Sequence, residues 1–532
     1  MKPELTPKSG HRFWFLAGIG ILVGGAILTV QFQPEMERNF KSWLTVAAAL
    51  AGGALTVIWF LLLSRIPWRY RLVGAVLMFL TYFCLKQAVR VEGTSSGLGL
   101  PKLVFRWTSR SRDASVLPQT SAASIAAAAA KTSDSGIRDV PQFFGPHRDG
   151  VVHGAKLSHD WTTTPPRLVW RQPIGAAWSA FAVVGQNAYT QEQSGDNELV
   201  TCLDVLTGRR VWTHTNSAHF SQWQGGDGPR ATPCGDRGRI FAMGATGILD
   251  CLDATTGQLI WSREVLKENK ISNLIWGVSC SPLVAGDAVI VTGGSDTRDT
   301  VLAYRRQTGE LLWHSGTDKA SYASPMFSTI AGQEVILSVN ASSLTAHDPK
   351  TGAVLLDYPW SNDKWPKASQ PIALDGDRIF LSAGYGVGCV MLKIKTGPDG
   401  KHTATELWKN KMMKTQFNSP AIRGGYIYGL DDGLLACVDA ETGSRKWKDG
   451  HYGSGQSLLV ADAVIIQSES GDVVLAKAEP AGFIELGKIS ALRSKTWNHP
   501  TLAGRFLLVR NDLEAACYEL PLVLGTASIV NN

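Results

Sequence analysis

At 532 residues the chain is too long for one ordinary domain, and its charge is unevenly spread. Residues 1–140 hold 16 Lys/Arg against 7 Asp/Glu, and the rest of the chain holds 36 against 38, so the net charge of +7 belongs to the N-terminal part. A nucleic-acid partner would need a basic stripe on the folded domain, and the near-neutral remainder offers none.

Two uncharged stretches come first, Phe13–Phe32 and Ser42–Leu63. Each has the length of about 20 residues that crosses a bilayer. A third apolar run, Leu72–Leu85, is shorter. Trp68, Tyr70, Arg71 and Lys86 flank it, and snorkelling of the two cations extends it to a span over 70–88. The alternative is an interfacial or re-entrant piece. Lys2, Lys8 and Arg12 precede the first span, and Arg65, Arg69 and Arg71 fill the second loop. The positive-inside rule puts both in the cytoplasm, so three spans leave everything after residue 88 outside. The first span has no small-residue cleavage site and reads as an anchor in the inner membrane rather than a removed signal.

Residues 89–140 read as a flexible tether. Ser121-AASIAAAAAKTSDSG is small, polar and without a period to pack. An apolar patch before it, Leu103-VFRWT, is of a kind that packs on something ordered.

From residue 141 to 525 one phrase keeps returning: CLDVLTGRRVW at 202–212, CLDATTGQLIW at 251–261, AYRRQTGELLW at 303–313 and CVDAETGSRKW at 437–447. Looser copies are AHDPKTGAVLLDYPW at 346–360 and MLKIKTG…ELW, which ends at Trp408. Each copy is an alternating strand, a Thr-Gly turn and a second strand ending in Trp. The Gly supplies positive φ, and the Trp suits the gap between neighbouring sheets. Before each copy comes a polar residue, often followed by Pro, then a hairpin of two short apolar runs; Ser281-PLVAGDAVIVTG is one of eight. Two hairpins per unit make four strands, so the fold is an all-β propeller of eight blades, with seven as the alternative. The inter-blade staples are Trp170, Trp212, Trp261, Trp313, Trp360, Trp408 and Trp447, with Leu486 in the eighth place. The last unit lacks a Trp strand and Arg167-LVWRQPIG lacks a hairpin, so 167–175 is expected to complete the last blade and close the ring. Residues 526–532 are a tail.

Of eight cysteines, Cys202, Cys251 and Cys437 share one slot. Equivalent slots of different blades do not reach bonding distance, so they read as buried free thiols; the alternative is a disulfide framework, which an exported domain permits. No CxxC, CxxCH, GxSxG or HExxH is present.

The repeat resembles the pyrroloquinoline-quinone (PQQ) repeat of eight-bladed propellers, which include quinoprotein alcohol dehydrogenases and BamB-like outer-membrane assembly factors. The entry phrase Pro141-QFFGPHRDGVV, with Trp161 and Trp170 after it, looks like the start of membrane-linked PQQ-repeat proteins of bacteria. The resemblance implies a periplasmic propeller that binds or scaffolds other envelope proteins. Its alternative implication is an alcohol or sugar dehydrogenase that passes electrons to a separate membrane acceptor. A quinoprotein dehydrogenase would bring PQQ and a Ca²⁺ ion held by carboxylate and amide oxygens, with an Asp base and a Trp floor. The chain has no adjacent cysteine pair and no complete motif for those ligands.

Propeller function sits where the inner strands meet the channel mouth. Amide, aromatic and charged residues recur there. Trp276, Asn418, Gln456, Trp497, Asn498 and Arg510 are candidates for cofactor binding, Glu469 and Asp512 for a metal, and Asp431, Asp432 and His499 for acid–base work. The bland alternative is that these groups bond backbone and trapped water, as channel ends commonly require. Asp431-Asp432-Gly433 also reads as a turn, and His499 as a capping residue in the slot of Ser281, Ser324 and Ser419.

Overall fold

The computed structural model describes residues 13–34, 36–64, 66–107 and 136–523. The chain divides near residue 110 into two units. The first carries three helices: α1 (Phe13–Gln31), α2 (Arg38–Ile58), which runs on through a π-helical turn at Trp59–Leu63, and α3 (Trp68–Ala88). All three are long and apolar enough to cross a membrane. Their large side chains, Ile21, Leu22, Leu62 and Phe79 among them, point outward. α2 starts at Arg38, earlier than the uncharged run predicts. Charge stops burial in lipid, not helix formation. α3 is one continuous helix with no re-entrant break.

The start of the stretch expected to be a tether is ordered. Strands β1 (Val89–Thr94) and β2 (Pro101–Phe105) pair as an antiparallel hairpin, and Leu103 of the apolar patch faces Val91. Residues 108–135, which hold the Ala-rich run, lie outside the described residues.

The second unit is built on sheets of four or five strands, eight of them among the described residues; six are ordered as their strands follow in sequence, and the seventh and eighth each take in one strand from the start of the unit. Their first strands are Ala182–Val184, Cys234–Asp236, Leu283–Ala285, Met326–Ile330, Ile372–Leu374, Ala421–Arg423, Gln456–Val460 and Thr501–Ala503. The eighth sheet is completed by β4 (Arg167–Pro173), which pairs with Glu514–Glu519. The ring closure expected from the unmatched ends is therefore present as a strand pairing.

The returning phrase has a physical account at each slot. Asp204, Asp253, Asp348 and Asp439 each accept the N–H groups two and three residues on, at 2.8–3.1 Å, and shape the turn. The Gly then takes positive φ. Its missing Cβ matters twice, because the Trp of the preceding sheet packs there: Trp170 on Gly208, Trp212 on Gly257, Trp261 on Gly309, Trp313 on Gly352 and Trp408 on Gly443. Each indole N–H also crosses the seam to a carbonyl, as Trp212 Nε1 to Ala254 O at 3.0 Å and Trp447 Nε1 to Glu479 O at 2.9 Å.

Two staples fall elsewhere. Opposite Ala346 stands Leu356, not Trp360, which lies past the end of its strand. The matching Gly397 sits in a longer loop and meets no Trp. In the seventh sheet Gly487, not Leu486, stands opposite Leu475. A Cβ on Gly487 would lie 2.5 Å from Trp161, so a Trp from the N-terminal segment fills the place.

The three repeated cysteines stand opposite Trp212, Trp261 and Trp447 in register, and Cys517 stands opposite Trp170. All four are buried free thiols. Burial pushes the Cys202 thiol up to about 12 and Cys251 up to about 11.

The folded unit begins before the expected residue 141, and its first segment enters the ring. Gly185 N donates to Asp139 at 2.8 Å, and Val140 pairs with Val183 of the first sheet. Pro141 O accepts from Gly235 of the second sheet at 2.7 Å. Arg148, 1% exposed, donates to Ser281 O at 3.0 Å, Pro325 O at 2.9 Å and Pro282 O, which belong to the third and fourth sheets. β3 (Val151–Val152) then lies parallel to Leu459 and Val460, a fifth strand on the inner edge of the seventh sheet. Residues 139–152 thus plug the space that the first strands surround.

Candidate functional site at the channel mouth

The residues just before each first strand form a ring in which neighbouring sheets bond to one another. Thr232 Oγ1 accepts from Ala180 N at 3.0 Å, Ser281 Oγ from Thr232 N at 2.9 Å, Ser324 Oγ from Ser281 N at 2.9 Å and Ser419 Oγ from Gln370 N at 3.0 Å. Turning the Gln370 amide over links it to Ser324 N and O, both at 2.8 Å. In five hairpins the polar residue before Pro (Thr232, Ser281, Ser324, Gln370 and Ser419) is therefore a cross-sheet acceptor. A first strand so close to the axis has few ladder partners, and the hydroxyl supplies one.

The amide and cationic candidates are engaged in the same way. Gln456 Nε2 donates to Phe417 O at 2.9 Å and Trp497 O at 3.0 Å, in the sheets on either side. Asn498 Nδ2 donates to Ala177 O and Ser179 O at 3.1 and 2.7 Å. Arg510, fully buried, donates to Thr190 Oγ1, Gln191 O and Gly175 O at 2.7–2.8 Å. Burial pushes its pKa down to about 10, and it stays charged. The oxygens of Asn418 and Asn498 are buried without a hydrogen bond.

The acid–base candidates are held in separate places. Asp431 is fully buried, with Lys448 Nζ at 2.7 Å, Lys414 Nζ at 2.9 Å and Arg445 at 3.5 Å. Asp432 takes φ +50 and donates its N–H to Lys414 O at 3.1 Å, a turn geometry. His499 lies with Nδ1 2.8 Å from Pro500 O and Nε2 3.1 Å from Ser457 O, edge-on to Phe143 and Phe144 of the plug. Burial pushes its pKa down to about 4, so it is neutral near pH 7 and donates to one of the two carbonyls.

The two aromatic candidates each pack on neighbouring rings. Trp497 is 4.8 Å from Trp178 and 5.4 Å from Phe417 between ring centroids, and Trp276 is 5.4 Å from Tyr322. Lys495 Nζ lies 4.1 Å from the Trp497 ring centre and 5.3 Å from that of Trp178. Glu469 accepts the Trp497 indole N–H at 2.8 Å and Ser454 N at 3.2 Å. Arg230 ties the neighbouring loop down: it donates to Trp276 O at 2.9 Å and Gly226 O at 2.7 Å and lies over Phe220. Asp512 faces a different space, a cleft of about 640 Å³ at the seam of the eighth and first sheets.

Sequence reasoning missed Trp178, Arg230 and Arg148. The signal for Trp178 was its slot: it precedes Ser179 as Trp497 precedes Asn498 and Phe417 precedes Asn418. Arg148 carried only the signal of a cation in a Gly-bounded run within the entry phrase.

A quinone with its Ca²⁺ does not fit these residues. The orphaned oxygens of Asn418 and Asn498 are groups a cation would seek, but the carboxylates that a Ca²⁺ needs are not gathered with them. Among the described residues no three His, Cys, Asp or Glu side chains form a metal-holding group. Asp431 is already paired with three cations, and the ring of Trp497 has the Lys495 ammonium over it.

The model of the family described as "Outer membrane protein assembly factor BamB" (PQQ_2) matches residues 196–449 and again 399–505, together more than half of the chain. The chain belongs to this family. Within it, the BamB of Shewanella oneidensis is 23% identical over 299 residues, covering 53% of this chain and 71% of that protein. The BamB of Burkholderia pseudomallei is 21% identical over 352 residues, covering 57% and 86%. Among solved structures, a europium-containing methanol dehydrogenase superposes with a TM-score of 0.54 at 14% identity, covering 73% of this chain and 99% of that one. Agreement at that identity is agreement of fold: a PQQ-repeat β-propeller.

Proposed function

We propose that this chain is a binding or scaffolding module of the bacterial envelope, tethered to the inner membrane by α1–α3 with its propeller in the periplasm. In this reading the eight sheets are the eight blades of one propeller, and residues 106–135 join anchor to ring. Family membership and three apolar helices support the setting. One observation carries the activity: the polar groups of the mouth are directed at backbone of neighbouring sheets, while an aromatic ledge of Trp178, Phe417 and Trp497 stays half-exposed. Aromatic surfaces of this kind are enriched where proteins bind partners. Trp223, 56% exposed, and Ile275, 73% exposed, extend the apolar surface on loops that Arg230 braces.

The test is photo-crosslinking in cells from residue 223 or 275. An envelope protein trapped from either position, and not from an exposed position on an outer strand, is the expected result. No specific adduct would count against the module. A second reading, a PQQ-dependent oxidoreductase, draws on the likeness of fold to the methanol dehydrogenase. A thermal shift with PQQ and Ca²⁺, together with dye-coupled alcohol oxidation, would favour it over the first. For topology, a periplasm-active reporter fused to the C-terminus that stays silent would refute three spans.

A further inference from the structure

Trp178 and Trp497 occupy one slot in the first and eighth sheets and make a notch. Their ring centroids are 4.8 Å apart with planes inclined by 40°. Both rings are fixed through their N–H groups, Trp497 to Glu469 at 2.8 Å and Trp178 to Gly225 O. The carboxylate behind Trp497 draws on its N–H and leaves the ring richer in electrons, which strengthens its attraction for a cation. A cation is in fact there: the ammonium of Lys495, 4.1 Å from one ring centre and 5.3 Å from the other. All three side chains are half-exposed. The chain's own ammonium shows that a cation fits over these two rings.

The notch adjoins the cleft of about 640 Å³. Trp178 lies against Gly226, whose neighbour Asp227 lines the cleft, as do Glu192, Asp196 and Asp512. Burial opposes ionisation of Glu192, but Arg210 at 2.7 Å, Gly175 N at 2.6 Å and Thr201 Oγ1 at 2.7 Å outweigh it and hold the carboxyl below its usual range. The four carboxylates of the cleft are matched in large part by Arg210 and by the buried Arg510 and Arg230, whose charges act on Glu192, Asp512 and Asp227, so the preference for a cation rests on the rings.

We infer that the Trp178–Trp497 notch binds an organic ammonium ion, and that Lys495 is an internal stand-in which the ligand displaces. The ammonium belongs to a lysine side chain of a partner or to a small free amine; the chemistry is shared. A stand-in occupies the site much of the time, so the apparent affinity of the intact protein is reduced by the fraction of notch that is open. The inference rests on the binding-module reading for its use in the cell, not for its chemistry.

The full chain in detergent is titrated with tetramethylammonium chloride and with Nα-acetyl-lysine amide, following tryptophan fluorescence and heat, against sodium chloride at matched ionic strength. Saturable binding is expected, roughly tenfold tighter in Lys495→Ala than in the parent. Glu469→Gln is expected to weaken it and Trp497→Leu to abolish it, each in protein that keeps its unfolding midpoint. Preference for the lysine amide identifies a partner's side chain as the source, and preference for the quaternary ion a free amine. Absence of saturable binding to Lys495→Ala beyond the sodium control overturns the proposal, and so does equal affinity with and without Lys495. Amine binding without an envelope crosslink would sink the module and leave the notch; a crosslink without amine binding would do the reverse.

Discussion

Trp212 lies so close to Gly257 of the next sheet that a Cβ on the glycine would stand 2.5 Å from the indole ring. The turn glycine of one repeat is thus the floor for the tryptophan of the repeat before it. Gly257 also holds φ +72. Gly257→Ala is expected to lower stability by about 2–4 kcal/mol through the strained backbone and the displaced ring. Gly397→Ala, in the loose copy, meets the flexible Asp399 side chain and, at an ordinary contact distance of 3.5 Å, Lys401 O, and is expected to cost about 0.5 kcal/mol or less. Urea unfolding of the two variants checks the contrast; equal losses would refute the floor.

Arg148 holds the plug by donating to carbonyls of the third and fourth sheets. Arg148→Met keeps the stem and removes the donors, leaving buried carbonyls unmatched. A loss of roughly 2–4 kcal/mol is expected. Hydrogen exchange at Val151 and Val152, and proteolysis within 141–152, should rise before the rest of the ring opens. Unchanged protection there would mean the plug is held by β3 alone.

Asp431, fully buried, is the shared carboxylate partner of Lys414, Lys448 and Arg445. Asp431→Asn strands those cations and is expected to cost about 3–5 kcal/mol. Asp432→Asn, at φ +50 where asparagine is comfortable, is expected to cost less, since Asp431 remains to pair with the cations. Denaturant midpoints decide, and the order of the two losses is the point at risk.

Two buried histidines and one buried acid set opposite pH slopes. Burial pushes His347 and His499 down to about 4, against 6.5 unfolded, so the unfolded chain binds more protons in that window. Their contribution is complete above pH 6.5 and lost as pH falls towards 4, by up to about 3 kcal/mol each. His499→Gln should flatten that part of the profile.

Glu198 behaves in the other sense. Burial pushes it up to about 7, although Ala245 N donates to it at 3.1 Å, and its second oxygen is buried without a partner. Here the folded state binds the extra proton, so stability is lost as pH rises from 4.5 through 7, again by up to about 3 kcal/mol. Glu198→Gln should be more stable than the parent at pH 8 and lack that slope. Equal stability at pH 8 would show that the carboxyl is not strained.

Much of the fold is legible in order along the chain. Strand alternation, Asp-x-x-Thr-Gly turns and the unmatched ends at 167–175 and 505–519 lead to four-stranded sheets and a closing strand, because turn and strand chemistry is local. Where the phrase loosens, the reading fails. Trp360 and Gly397 look like a staple and its floor, yet they do not meet. The place opposite Leu475 is filled by Trp161, far away in sequence. The candidate site is legible only as a list: the ring of polar slots was visible, but not that Gln456, Asn498 and Arg510 reach for neighbouring backbone while Trp178, Trp497 and Lys495 gather.

The sequence by itself determined the repeat, the turns, the buried thiols and three apolar helices, since each depends on residues a few positions apart. Only the tertiary structure decided which tryptophan rests on which glycine, that residues 139–152 fill the axis, and which side chains share the mouth. Those contacts join residues tens to hundreds of positions apart, and closing the ring is what brings them within reach.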